Sequence, residues 1–296
     1  MPCPPRPRRR LLPAIPLLAL SACFRPSYSR DKVAEHVQDI CRREYKMDVT
    51  ARFVEGTLYV RHVLDDLVGD NLELKPKKLD ALDNLLRVTN RVGQSTDAKV
   101  EHLVLQLQDH KLGTRLDLIQ RFEDYEKLRN IRISQEEFQS RLAIEWVKGG
   151  GEEPTEDGLT LAEFMARLTA ARLHHNMTGN PFVNVLLGVQ AVTGAVKDQT
   201  LVLTLHAGED DPERVSAEVL FNAAADAARE VCQKYDPTHA LIAVVRLQNP
   251  RGKRLWQSDL ATLDRAKGGA GEEPLEPVGG VAAPVKSATP RGRPGL

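Results

Sequence analysis

The order in which structural signals recur along this chain constrains its fold more than any single motif does. Thr57-Leu58-Tyr59-Val60 opens a β-leaning run, and a loop and a helical pattern over 76–92 follow. Next come an alternating strand at 100–108, a turn through Gly113, a short strand and a short helix. Thr200-Leu201-Val202-Leu203 opens the same order again. A helix over 212–235, a strand at 240–248, a turn through Gly252, a short strand and a short helix near 260–266 follow. A helical segment also precedes each series, from Asp31 in the first and from Thr160 in the second. Self-similarity at this scale argues for an internal duplication. The expected class is α+β: two similar α-β-β-α-β-β halves, each an antiparallel sheet with helices packed on one face. Strand faces built from Leu and Val need helical cover, and the linker is short, so one continuous or pseudo-twofold sheet is expected.

Local chemistry supports the individual elements. Val33, Val37, Ile40 and Cys41 recur at helical spacing, and Leu79, Leu82, Leu85 and Leu86 form a second such stripe. Glu55-Gly56 between two β-leaning runs signals a hairpin. Pro76 suits a first helical turn, and Asp211-Pro212-Glu213 reads as an N-cap, an N1 proline and an early acid. Ser134 with Glu137 and Thr160 with Glu163 are capping boxes. From Ser134 the pattern reads as helical through about Trp146, and the apolar run 183–196 favours strand or loop. Gly149-Gly150-Gly151-Glu152-Glu153-Pro154 interrupts the pattern as a flexible linker. The halves are therefore bounded at 31–148 and 159–267, with a linker at 149–158. From 268 to 296 the chain carries too little apolar bulk to fold.

Composition excludes some functions. Lysine and arginine together number 41, and aspartate and glutamate also number 41. Removing residues 1–22 would take away four arginines and no acid, leaving a mildly acidic body. Nucleic-acid binding needs a concentrated basic surface, so no nucleic-acid partner is expected.

The N-terminus carries an address. Arg6, Arg8, Arg9 and Arg10 precede an apolar stretch from Leu11 to Leu20, and the small residues Ser21 and Ala22 lead to Cys23. This is the charged, apolar, small-residue order of an export signal. About ten apolar residues broken by Pro13 and Pro16 are too few to span a bilayer, which takes about twenty. Leu20-Ser21-Ala22-Cys23 resembles the lipobox of bacterial lipoproteins. The resemblance implies a signal peptide over 1–22, lipidation of Cys23 and a tether over 23–30. It also implies a lipid membrane as partner through the acylated N-terminus. Phe24, where an Asp would imply inner-membrane retention, points to the outer membrane and a body facing the periplasm. The body is also similar to uncharacterised predicted envelope lipoproteins, a likeness that brings no motif or activity.

Other candidate sites are weak. Cys41 and Cys232 each fall in a helical apolar stripe. An exported compartment permits a disulfide between them, and inert core thiols are the alternative. His174 and His175 are adjacent and would diverge on a helix rather than chelate. His206 and the carboxylates at 209–211 lack the alternation of a calcium loop. No P-loop or nucleophile-elbow motif is present. Neither a catalytic set nor a metal or cofactor site is expected. Trp146 and Trp256 read as packing residues. The sequence favours an anchored binding or scaffold module with an envelope protein as partner. A periplasmic hydrolase and a small-ligand-binding protein stand as alternatives.

Overall fold

The computed structural model describes residues 28–68, 74–147, 157–179, 188–207 and 217–268. Cys23, residue 148, residues 149–156 of the expected linker, the cap at Asp211-Pro212 and the tail after 268 lie outside the described residues.

The first half contains α1 (Val33–Tyr45), β1 (Val49–Val54), β2 (Thr57–Leu64), α2 (Pro76–Gln94), β3 (His102–Asp109) and β4 (Arg115–Arg121). It then adds α3 (Phe122–Arg129), α4 (Gln135–Gln139) and β5 (Ala143–Val147). The second half contains α5 (Leu161–Gly179), β6 (Val189–Lys197), β7 (Thr200–Ala207), α6 (Ala217–Tyr235), β8 (Val244–Gln248), β9 (Arg254–Asp259) and α7 (Leu260–Gly268). The strand orders are β1-β2-β3-β4-β5 and β6-β7-β8-β9.

The α+β class and the recurrence of the unit hold, down to strand sense. β1–β2 and β3–β4 are antiparallel about a parallel β2–β3 pair, and β6–β7 and β8–β9 are antiparallel about a parallel β7–β8 pair. The sheets are therefore mixed rather than purely antiparallel. The physical reason is the helix between the central strands, which carries the chain back so that the next strand runs in its predecessor's direction. The β3–β4 and β8–β9 turns are built alike. Asp109 accepts from the N–H groups of Lys111 and Leu112, both at 2.9 Å, and Asn249 accepts from Arg251 at 3.0 Å and Lys253 at 2.9 Å. Gly113 (φ 62°) and Gly252 (φ 77°) take the left-handed position in each turn.

Two further expectations are corrected. The sheets do not join; they are separate, with α5 between them. Helices also cover both faces of the first sheet. Leu58, Val60, Leu103, Leu105 and Leu107 pack under α1 and α2, whereas Tyr59, Val104, Ile119 and Ala143 pack with α5 and α6. β3 and β4 are therefore buried along almost their whole length. In β7 only Leu201, Leu203 and Leu205 are buried, and Val202, Thr204 and His206 lie partly exposed on the far face. The layers run α1/α2, first sheet, α5/α6, second sheet. The middle of α5 is buried over most of its circumference, through Phe164, Met165, Ala166, Leu168, Ala170 and Leu173, because it packs on two surfaces at once. A Cβ on Gly194 would lie 2.2 Å from the Ala166 carbonyl oxygen, so glycine is what lets β6 approach α5 so closely.

The segment expected to be helical through Trp146 contains only the five-residue α4, with Ser134 capping Glu137 at 3.1 Å, and ends in β5 paired to β4. Part of the span expected as tether, 28–30, lies among the described residues. Tyr28 already belongs to the fold: it bridges Thr96, takes a 3.0 Å hydrogen bond from its own N–H to the Ser95 carbonyl, and stacks near His36. Inside the span expected as linker the Asp157 carbonyl accepts from the Tyr59 hydroxyl at 3.2 Å, and just after it the Leu159 N–H donates to Thr57 Oγ1 at 2.8 Å. These contacts fasten the approach to α5 onto the first half.

Candidate functional site: a groove between two strand edges

Among the described residues β5 pairs only with β4 and β6 only with β7, so each ends its sheet. A groove of about 280 Å³ opens between them. Residues 144–147 of β5 and 190–194 of β6 form its walls, and Arg167, Ala171 and His174 of α5 lie along it. These three residues are four and three positions apart, which is one stripe of a helix. Successive side chains of a strand point to opposite faces. Consecutive residues of both strands can therefore line one groove only if it meets the strands edge-on. The walls are backbone edges, and the floor is a helix.

The charges around the groove are spent on one another. Arg167 donates to Glu145 at 2.6 Å and 2.9 Å and to Asp117 at 3.3 Å. Arg115 holds Asp117 through two bonds, at 2.7 Å and 3.0 Å, and Gln106 reaches the same carboxylate at 3.4 Å. Asp117 and Glu145 share a face because they are paired across β4 and β5. Burial pushes the Glu145 carboxyl up, with Arg167 acting against the shift. Burial alone would lower the Arg167 guanidinium, but Glu145 and then Asp117 outweigh it and hold the group firmly charged. His174 is half-buried; desolvation and then neighbouring His175 lower its pKa, and its Nδ1 has no hydrogen-bond partner. The groove thus presents a compensated ion pair and a neutral imidazole between two strand edges.

A second cleft of about 550 Å³ lies at the end of the first sheet, lined by Lys99, Glu101, His102, Arg121 and Phe122 among others. His102 at its back is 2% exposed, and neither ring nitrogen has a hydrogen-bond partner. Desolvation, with the Arg121 charge adding to it, lowers its pKa to about 4. The ring stacks 5.6 Å from Phe164, which meets Tyr235 edge-on. The Tyr235 hydroxyl donates to Asp124 at 2.6 Å, and Arg141 holds the other oxygen of that carboxylate at 2.7 Å. This cluster ties α6 to the first half.

The remaining candidates are dispersed. Cys41 and Cys232 are free and buried, and they lie in different hydrophobic clusters, so no disulfide joins them. Burial pushes the Cys41 thiol up to about 11 and the Cys232 thiol up to about 12, which leaves both protonated and unreactive at neutral pH. His174 and His175 diverge, the latter being exposed. His206 lies on the open face of the second sheet, 3.4 Å from Thr193 Oγ1. Trp146 is 43% exposed at the groove, and Trp256 packs edge-on against Phe221 at 4.6 Å. Among the described residues no three His, Cys, Asp or Glu side chains gather as metal ligands, and no helix is long and apolar enough to cross a membrane. Sequence reasoning missed the ionic cluster and His102. The available signal was Arg115 and Asp117 alternating with Leu116 and Leu118 in β4, and Arg167 set between Phe164-Met165-Ala166 and Leu168 in α5. No family model, curated protein or solved structure matches the chain.

Proposed function

We propose that this chain is a lipid-anchored cell-envelope protein, held at the outer membrane with its body in the periplasm, that works as a binding or scaffold module for another envelope component. The observation that carries the reading is Leu20-Ser21-Ala22-Cys23 closing an apolar stretch behind four arginines, with Tyr28, five residues later, already held in the fold. Five residues reach at most about 18 Å, at about 3.6 Å each, so an acylated Cys23 would hold the body close to the lipid surface. Each buried methylene contributes about 0.8 kcal/mol, and more than one acyl chain makes such anchoring stable. The groove between β5 and β6 supports binding over catalysis, because its charged groups neutralise each other.

In a diderm bacterial host, Cys23→Ala is expected to move the protein from the membrane fraction to the soluble fraction. Mass spectrometry of the wild-type protein is expected to find Cys23 as an acylated first residue. An intact Met1 with an unmodified thiol at position 23 would refute the anchor.

A further inference from the structure

We propose that the groove between β5 and β6 binds an extended polypeptide segment, uncharged where it lies in the groove, which adds as a strand to the exposed edge of β5. This deepens the binding-module reading and rests on it by naming the class of partner.

The argument starts from the backbone. β5 and β6 each end a sheet, and four and five consecutive residues respectively turn their edges into one groove. An edge strand offers a row of backbone N–H and C=O groups, and the partner that satisfies such a row is another extended chain. A groove walled on both sides admits one chain with two free edges. The edge strand of a second folded sheet is already bonded along its other side and has only one edge to offer these two walls. This selects a peptide segment over a second copy of the protein. β5 is five residues long, so it pairs with about five residues of partner, or about 17 Å of strand.

Charge complementarity sets the character of that segment. Arg167 and Glu145 are bonded to each other, and His174 is neutral. An acidic or basic side chain entering here would lose hydration without gaining an unspent counter-charge. Ile144, Trp146 and Ala171 offer apolar surface instead, with Ile144 50% and Trp146 43% exposed. The inward-facing charge of Glu145, clamped by Arg167, is a device that keeps an edge from pairing indiscriminately. The segment must leave that ion pair in place.

The test selects a phage-displayed random nine-residue peptide library on the purified full chain carrying Cys23→Ala. Enriched peptides are then measured against Ala171→Phe and the milder Ala171→Gln, with circular dichroism checking the fold of each. Filling the floor is expected to weaken binding about tenfold or more in Ala171→Phe and less in Ala171→Gln. N-methylation along the peptide backbone is expected to abolish binding at alternate residues if one edge is used, or at every residue if both are. Affinity unaffected by N-methylation at all positions, or by both Ala171 variants, overturns the proposal, as does failure to enrich any peptide. Self-association of the wild-type chain that Ala171→Gln dissolves would assign the groove to a second copy and also overturn it. The chain is used without its lipid, so these outcomes are independent of the Cys23 test.

Discussion

Replacing Arg167 with Met tests whether the ion cluster under the groove is structural. The substitution keeps the side chain's length and apolar stem while removing the charge that holds Glu145 and Asp117. Deleting one partner of a fully buried pair costs about 3–5 kcal/mol. The Arg167 side chain is 25% exposed and that of Glu145 19%, so water recovers part of this. Asp117 also keeps both bonds to Arg115. The expected loss is therefore about 2–3 kcal/mol, or about 4–12 °C in Tm for a body of this size. Urea and thermal unfolding followed by circular dichroism measure it. Burial already places the Glu145 carboxyl above its ordinary 4.5, and without the arginine it rises further. The folded variant then takes up this proton more readily than the unfolded chain does. Its deficit should be largest near neutral pH and should shrink as acid protonates the carboxyl. Adding Glu145→Gln to Arg167→Met should recover about half of the loss, because no unpaired charge is left behind. A loss below about 0.5 kcal/mol, the value of an ordinary surface pair, or a deficit that does not change with pH, would refute the reasoning.

Two more outcomes follow from buried groups. His102 titrates at about 4 when folded against 6.5 when free, so stability should fall as pH drops from about 6.5 to about 4. The size of that fall is about 3 kcal/mol, since each tenfold change in proton affinity is worth about 1.4 kcal/mol. His102→Gln should flatten the acid limb, and an NMR titration of the ring near 6.5 would contradict the assignment. Gly194→Ala should cost about 2–3 kcal/mol or more, since its new methyl meets backbone that cannot swing aside. An unchanged urea midpoint would show that β6 does not approach α5 so closely.

The fold was legible wherever a residue's neighbours along the chain decide its state. Leu103, Leu105 and Leu107 announce a strand by alternation, and the hairpin at Glu55-Gly56 sits between β1 and β2 as expected. Thr160 and Glu163 announce the start of α5, and the reciprocal bonds form: Glu163 N–H to Thr160 Oγ1 at 3.2 Å and Thr160 N–H to Glu163 at 2.8 Å. What the sequence hid depends on residues far away. Ala143–Val147 follows a capped helical turn and reads as its continuation until β4 offers an edge to pair with. The direction of β3 is set by the path of α2 over the sheet, not by anything within β3. The groove was invisible for the same reason: Glu145 and Arg167 are 22 positions apart, and only the packing of α5 against β5 brings them together. Of the residues singled out beforehand, His174 and Trp146 reach the groove, while His206, Cys41 and Cys232 do not.

The position of α5 has a consequence for the handling of this chain. By sequence it opens the second half, yet it roofs the first half's far face over Tyr59, Val104, Ile119 and Ala143. The two recurring units are thus not interchangeable parts. A cut at the glycine-rich joint would leave the upstream piece with a bare greasy wall and strip the downstream piece of the support on which its first helix rests. Domain swaps and truncations of this protein belong outside 28–268, never in its middle.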